Sequence, residues 1–100
     1  MYKDIISYQL NTNCTESQLL DVASKVYEDW MKHQDGFIKW EIHREKEDSC
    51  IDIVYWNSKE QAKASEASMK DMAHGADWFA CYLPGTIASR NVKDVVKFGS

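Results

Sequence analysis

Residues 51–62 read IDIVYWNSKEQA, and this stretch contains the change from strand to helix on which the fold depends. Together with Cys50, its first six residues place apolar side chains on both faces, and Asp52 is the exception. A strand that is apolar on both faces is typical of the middle of a sheet. Ser58 is followed three residues later by Gln61, the pattern of a capping box, so a helix begins at about Lys59. The stretch therefore predicts a central strand that ends on Trp56 and passes directly into a helix.

The chain before this stretch predicts two strands and a helix. Residues 3–10 alternate, with Ile6, Tyr8 and Leu10 on one face of a first strand. Thr15 and Gln18 form another capping box, and apolar residues at helical spacing then predict a helix over about 16–33, ended by Asp35-Gly36. Residues 37–44, FIKWEIHR, are apolar on one face only, which is typical of an edge strand.

The chain after the central strand predicts one long helix, one short helix and a last strand. Helical spacing predicts a mixture of small and long side chains on the inward face of the long helix: Ala62, Ser65, Met69 and Met72. Small residues there let the helix approach the sheet closely or leave room beneath it. ADWFACYL, 76–83, predicts a short helix closed by Pro84-Gly85, and TIASRNV with an extension through KDVVKF predicts a last strand with a bulge.

The order strand, helix, strand, strand, helix, strand defines the expected fold class, α+β. Its simplest closure is a ferredoxin-like βαββαβ domain over residues 1–100, with a four-stranded antiparallel sheet and two helices on one face. The first and third strands are apolar on both faces, so the uncovered face of the sheet also needs burial. We expect a homodimer in which two such sheets pack face to face.

Composition limits the classes of partner. Twelve basic residues are scattered among sixteen acidic ones, and the net charge of −4 argues against a nucleic-acid partner. The sequence shows no signal peptide, no run of apolar residues long enough to cross a membrane and no membrane-surface helix. Three cysteines without a CxxC pair are typical of reduced thiols, so we expect a cytoplasmic protein.

Motifs for cofactors and metals are missing from the sequence. It contains no HExxH, CxxC, GxGxxG, P-loop or GxSxG pattern, and its three histidines show no ligand spacing. We therefore expect no cofactor and no metal site.

Asp52 is the carboxylate that most needs an explanation. A charge in a central strand must be paired, or burial must raise its pKa, which is how a general base is tuned. Arg90 on the last strand is the alternative explanation, as an ion-pair partner, and of the two we favour the ion pair.

His74 is a second candidate for a general base. It follows the long helix in DMAHGAD, within reach of a pocket beneath the small residues. A surface histidine placed favourably at a helix C-terminus explains the same pattern, and more simply.

Two stretches carry a family resemblance that spans nearly the whole layout of the chain. VYW followed by NSKEQAKA, and GFIKWEIHR upstream, resemble the dimeric α+β barrel superfamily and its antibiotic-biosynthesis-monooxygenase-like branch. The resemblance implies that Trp56 corresponds to the pocket tryptophan of that branch, although packing between strand and helix would also explain it. Some members carry Asn on the third strand, so Asp52 is a departure from their pattern.

The function that the resemblance implies is a cofactor-independent oxygenase acting on a small aromatic substrate. Asp52 or His74 would deprotonate a phenol, and the aromatic residues would form the walls of its pocket: Tyr8, Trp56, Trp78 and Tyr82. Each of these aromatics alone is also explained as part of the core.

Two other functions remain as alternatives. The superfamily includes haem-degrading proteins, for which His74 would be the axial ligand. Those relatives carry a Trp about ten residues earlier on the same helix, where this chain has Ala64 and Ser65, so haem degradation is disfavoured. The other alternative is a non-enzymatic dimer that binds a small ligand or acts as an accessory protein.

Overall fold

The computed structural model describes residues 1–46 and 48–99, so Glu47 and Ser100 of the expected domain lie outside the described residues. Four strands form one antiparallel sheet in the order β2-β3-β1-β4: β1 Tyr2–Gln9, β2 Phe37–Lys46, β3 Ser49–Trp56 and β4 Ala88–Lys93. The helices are α1 Glu16–Asp29, α2 Lys59–Ser68 and α3 Gly75–Phe79. The expected α+β, ferredoxin-like fold is confirmed.

The third strand lies in the middle of the sheet, between β2 and β1, as its two apolar faces predicted. Cys50, Asp52, Val54 and Trp56 are buried on the helix-covered face of β3, while the alternate residues face the other side and are half-buried. The one-sided strand β2 lies at an edge. Strands β2 and β3 therefore take the positions that their patterns of apolar residues favour.

The first helix begins where its capping box places it. The Gln18 backbone N–H donates to Thr15 Oγ1 (3.1 Å), and the Thr15 N–H donates to Gln18 Oε1 (2.8 Å). The α-helix ends at Asp29, earlier than the expected residue 33, because Trp30 leaves helical geometry with φ −141°. The chain continues through a short 3₁₀ turn, Met31–His33.

The second helix begins at Lys59, as expected, but only half of its capping box forms. The Gln61 N–H donates to Ser58 Oγ (3.2 Å), whereas the Gln61 side chain accepts from the Ser58 hydroxyl instead of its backbone N–H. Trp56 belongs to a small buried cluster with Met31, Val54 and Ala62. The tryptophan at the end of the strand thus packs beneath the first turn of α2.

The C-terminal part of the chain is less regular than expected. The α-helical turns of α3 end at Phe79, short of residue 83, and β4 ends at Lys93. The extension of the strand through residue 98 is wrong, since only Asp94 N–H still bonds to the sheet end, at Met1 O (3.3 Å). Val95 and Phe98 are more than nine-tenths exposed.

Within residues 1–46 and 48–99, no helix is long and apolar enough to cross a bilayer.

Candidate functional site

A cavity of about 340 Å³ lies between the covered face of the sheet and the helices. Its walls are mainly apolar and aromatic, and they include Trp30, Trp40, Val54, Met72 and Trp78. The roof is α2, whose inward residues Ala62 and Ser65 are buried and small. The short side chains of this helix thus border open space, which is one of the two alternatives that the sequence left open.

Asp52 lies on the floor of this cavity, on the central strand, and is only 2% exposed. Both of its carboxyl oxygens accept hydrogen bonds from neighbouring strands. Tyr8 O–H donates to Oδ1 (2.8 Å) from β1, and Trp40 Nε1–H donates to Oδ2 (3.2 Å) from β2. A carboxylate oxygen can accept more than one hydrogen bond, so Asp52 keeps the capacity to accept one from a ligand.

The environment of Asp52 changes its acidity. Burial raises the pKa of its carboxyl from 3.8 to about 7, and the hydrogen bonds from Tyr8 and Trp40 and the charge of His43 oppose this rise. A pKa near neutrality is the value at which a general base is most effective at physiological pH.

The expected ion pair between Asp52 and Arg90 is wrong. Arg90 pairs in register with Ile5, and Asp52 pairs with Ile6, so their side chains point to opposite faces of the sheet. Arg90 is on the uncovered face and exposed. The partners of Asp52 are neutral hydrogen-bond donors instead.

Three of the four aromatics expected in the pocket line the cavity: Trp56, Trp78 and Tyr82. Trp78 packs edge-on against both Trp40 and Tyr82, with ring centroids 5.2 and 5.3 Å apart. Tyr8 is buried behind this surface, where its ring packs on Tyr82 (4.3 Å) and its hydroxyl holds Asp52. Tyr8 therefore positions the carboxylate, and the other three form walls.

His74 is not among the residues that line the cavity. Its Nε2 lies 2.6 Å from Asp29 Oδ2 on α1, and its side chain is one-third exposed. The chain leaves α2 through a 3₁₀ turn and reaches His74 in the left-handed region, with φ 65°. This turn carries the imidazole toward α1 and away from Asp52, so the geometry supports neither a base nor a haem ligand in the cavity.

Sequence reasoning missed several polar residues of the cavity, including Trp40, Asp4 and Asn91. Trp40 lies on the apolar face of the strand predicted over 37–44, but its hydrogen bond to Asp52 depends on strand register. Asp4 shares the inward face of β1 with Ile6 and Tyr8, and that two-residue alternation was the signal that could have found it. Asn91 pairs with Asp4 and donates an amide N–H to its Oδ1.

A metal site is not formed by these residues. In the ranges 1–46 and 48–99, no group of three or more His, Cys, Asp or Glu side chains is arranged to hold a metal ion.

The same fold occurs in solved structures of two oxygenases. SnoaB, a cofactor-independent oxygenase from Streptomyces nogalater, is 14% identical, with a TM-score of 0.79 over 99% of this chain and 97% of that one. A monooxygenase from the gene ActVA-Orf6 of Streptomyces coelicolor, solved in complex with the ligand nanaomycin D, is 12% identical, with a TM-score of 0.73 over 99% of this chain and 91% of that one.

The same fold occurs in a conserved protein from Methanosarcina mazei, which is 9% identical, with a TM-score of 0.71 over 94% of this chain and 92% of that one. The sequence matches no family model and no curated protein. At such identities the likeness establishes the fold, and a function must be argued from the cavity.

Proposed function

We propose that this protein is an oxygenase that acts on a small electron-rich phenol, with Asp52 as its general base. The observation that carries the proposal is a buried carboxylate, held by two neutral donors, on the floor of an aromatic cavity. Such a group can accept the proton of a phenol that the flat aromatic walls hold in place.

The reaction needs no oxidant other than O₂, because the phenolate supplies the electrons. Asp52 takes the phenol proton, the electron-rich anion passes an electron to O₂, and the pair combines at a ring carbon. For 1-naphthol the overall change is C₁₀H₈O + O₂ → C₁₀H₆O₂ + H₂O, which gives 1,4-naphthoquinone. Trp40, Trp78 and Met72 exclude water from the anion during these steps.

The structural neighbours support this proposal through the activities that their names state. SnoaB is described as a cofactor-independent oxygenase, and the ActVA-Orf6 protein as a monooxygenase in complex with the ligand nanaomycin D. Transfer of these activities to the present chain is part of the proposal, since the identities are only 14% and 12%.

We also propose that the protein works as a homodimer joined through the uncovered face of the sheet. Ile5, Ile51 and Ile53 form an apolar patch on the two central strands there, and each is only partly buried. A second copy of the same sheet would remove this patch from water.

Oxygen uptake with 1-naphthol, followed together with quinone formation, tests the proposed reaction. In Asp52→Asn the amide oxygen can accept from Trp40 while the amide N–H₂ donates to the Tyr8 hydroxyl, but the base is removed, so turnover should fall by about 10²–10⁴-fold. His74→Asn is the matched variant, because Asn tolerates the left-handed backbone at this position, and it should retain turnover.

The alternative outcomes of that experiment are distinct. Equal turnover in wild type and Asp52→Asn would refute the role of Asp52. Tight binding of the naphthol with no oxygen uptake would instead favour the non-enzymatic binding protein. The presence of a titratable group in the cavity favours the enzyme.

A further inference from the structure

The three cysteines are free thiols, and two of them lie side by side although they are far apart in the sequence. Cys14 precedes α1 and is half-buried, whereas Cys81 follows α3 and is 5% exposed. Both line a groove of about 700 Å³ between α1 and α3. The described residues of this groove and those of the cavity that holds Asp52 do not overlap. The fold therefore brings two thiols together outside the proposed active site.

Backbone hydrogen bonds fix the two segments that carry these thiols. The Asn11 N–H donates to the Cys81 carbonyl oxygen (2.8 Å), and the Cys14 N–H donates to the Asn11 carbonyl oxygen (2.9 Å). One residue thus ties the backbones of both cysteines together. Beside it, Leu10 and Tyr82 form an antiparallel bridge. A disulfide requires two backbones held at close range, and these contacts supply that condition in the folded protein.

The side chains of the two cysteines also interact. Cys14 packs against the buried cluster to which Cys81 belongs. Burial raises the pKa of the Cys81 thiol, and a hydrogen bond with Cys14 raises it further. Cys81 therefore stays a neutral thiol at physiological pH. Cys14 is the more accessible sulfur of the pair, so a small oxidant that enters the groove meets Cys14 first.

Cys50 differs from this pair and provides an internal comparison. It lies on the central strand in register with Tyr8 and is only 3% exposed. It is not among the residues that line the groove. A thiol in this position is shielded from an oxidant that the groove admits, so the structure separates one buried thiol from a reactive pair.

We propose that Cys14 and Cys81 form a dithiol that hydrogen peroxide closes into a reversible intramolecular disulfide. The Cys14 thiolate attacks one peroxide oxygen, the O–O bond breaks, and one water leaves with the proton that Cys14 released, so Cys14 becomes a sulfenic acid. The Cys81 sulfur then attacks the Cys14 sulfur, the S–O bond breaks, and a second water leaves with the Cys81 proton. The balance is R–SH + HS–R + H₂O₂ → R–S–S–R + 2 H₂O, in which the sulfurs lose the two electrons that the peroxide gains.

The disulfide would fasten one wall of the cavity to the start of α1. Cys81 directly precedes Tyr82 and follows Trp78 by one helical turn, and both aromatics line the cavity. A cross-link between residues so distant in sequence also restricts the unfolded chain. The oxidised protein should therefore resist unfolding more than the reduced protein does. This inference does not depend on the proposed oxygenase reaction.

Peptide mapping of the oxidised protein tests the pair directly. Trypsin places the three cysteines on separate peptides, which are 4–25, 47–59 and 71–90. Full-length protein is first reduced, freed of the reductant and treated with hydrogen peroxide, and it is then digested without reductant. Mass spectrometry should find peptide 4–25 linked to peptide 71–90, and dithiothreitol should separate them again.

Two variants make the test specific. Cys14→Ser removes the accessible sulfur at a half-buried position and should lose the link, whereas Cys50→Ala is the matched control and should keep it. In urea unfolding, peroxide should move the midpoint of wild type and of Cys50→Ala to higher urea concentration, and it should not do so for Cys14→Ser. Cys14→Ser keeps every methionine, so the comparison removes any effect of methionine oxidation.

Four outcomes would overturn the dithiol. They are a link that involves Cys50, a link between two protein molecules, a Cys14 that accumulates as sulfenic or sulfinic acid without a link, and a wild type that peroxide leaves unlinked. A link between peptides 4–25 and 71–90 that does not raise the urea midpoint would refute the fastening of the wall.

Discussion

The hydroxyl of Tyr8 on β1 donates a hydrogen bond of 2.8 Å to Oδ1 of Asp52 on the neighbouring strand β3. Burial, reinforced by the charge of Asp52, raises the pKa of Tyr8 far above its ordinary value. Tyr8 therefore stays protonated and acts as a fixed donor. Asp52 is therefore the group of this pair that titrates near neutral pH. The hydrogen bond from Tyr8 also fixes the orientation of its carboxylate.

The pH dependence of turnover should follow the ionisation of Asp52. The base must be deprotonated to accept a phenol proton, and its pKa is about 7. We expect kcat/KM for 1-naphthol to rise with pH through a single ionisation near pH 7 and then level off. The measurement is a rate profile from pH 5.5 to 8.5, and a flat profile would contradict the assignment.

Tyr8→Phe should move that ionisation to higher pH. The hydrogen bond from Tyr8 lowers the pKa of Asp52, so its loss leaves the effect of burial less opposed. Tyr55→Phe is the matched control, because Tyr55 donates to Glu41 (2.8 Å) on the uncovered face of the sheet. It should leave the midpoint of the profile in place. An unmoved midpoint in Tyr8→Phe would show that the bond does not tune Asp52.

The same ionisation should make the protein less stable as pH rises from about 4 to 7. The carboxyl of Asp52 has a pKa of about 7 when folded and 3.8 as its ordinary value, so the folded state binds more protons in that window. The contribution of Asp52 to the free energy of unfolding is therefore largest below pH 4, and it falls by about 4 kcal/mol at most by pH 7.

Asp52→Asn should remove this contribution. The measurement is the difference in unfolding free energy between the variant and wild type, from urea unfolding at two pH values. This difference should favour the variant more at pH 8 than at pH 4.5. Asp48→Asn is the control, since Asp48 is exposed. This variant should show the same dependence of unfolding free energy on pH as wild type. A variant whose stability parallels wild type at every pH would contradict the raised pKa.

The positions of β2 and β3 in the sheet were predictable because each depends on a pattern within one segment. The two apolar faces of 50–56 placed β3 in the centre, and the one apolar face of 37–44 placed β2 at an edge. Prediction of the site also requires the register of the strands, that is, which residue of one strand pairs with which residue of the next. The donors Tyr8 and Trp40 reach Asp52 only through the registers of β1 and β2 against β3.

Arg90 shows why that information was missing. All six residues of β4 are exposed, so no alternation of apolar residues tells which face of the sheet each side chain occupies. Register with β1 places Arg90 beside Ile5 on the uncovered face. The sequence left His74 either as a base or as a surface histidine for a related reason, because the exit from α2 turns through non-helical geometry that local propensity does not encode.

A charge on the uncovered face of the sheet should prevent the proposed dimer. Ile53 lies on the central strand, paired with Ile5, and Ile53→Glu would place a carboxylate in the middle of the interface. We expect a dimeric mass for wild type and a monomeric mass for the variant, measured by light scattering at micromolar concentration. Leu20→Glu changes a half-exposed residue on α1 and should remain dimeric. A monomeric wild type would refute the dimer.

Alanine substitutions at two glycines with nearly the same backbone conformation distinguish the cost of backbone strain from the cost of a packing clash. Gly36 (φ +81°) and Gly85 (φ +83°) are both left-handed, so alanine at either position should cost about 1–2 kcal/mol of stability. A Cβ at Gly36 would also lie 2.8 Å from the Cβ of Gln61 in the first turn of α2, whereas nothing lies within 4 Å at Gly85. Gly36→Ala should therefore lose about 1–3 kcal/mol more in urea unfolding. Equal losses would mean that Gln61 moves away freely and that the start of β2 does not fix the position of α2 over the cavity.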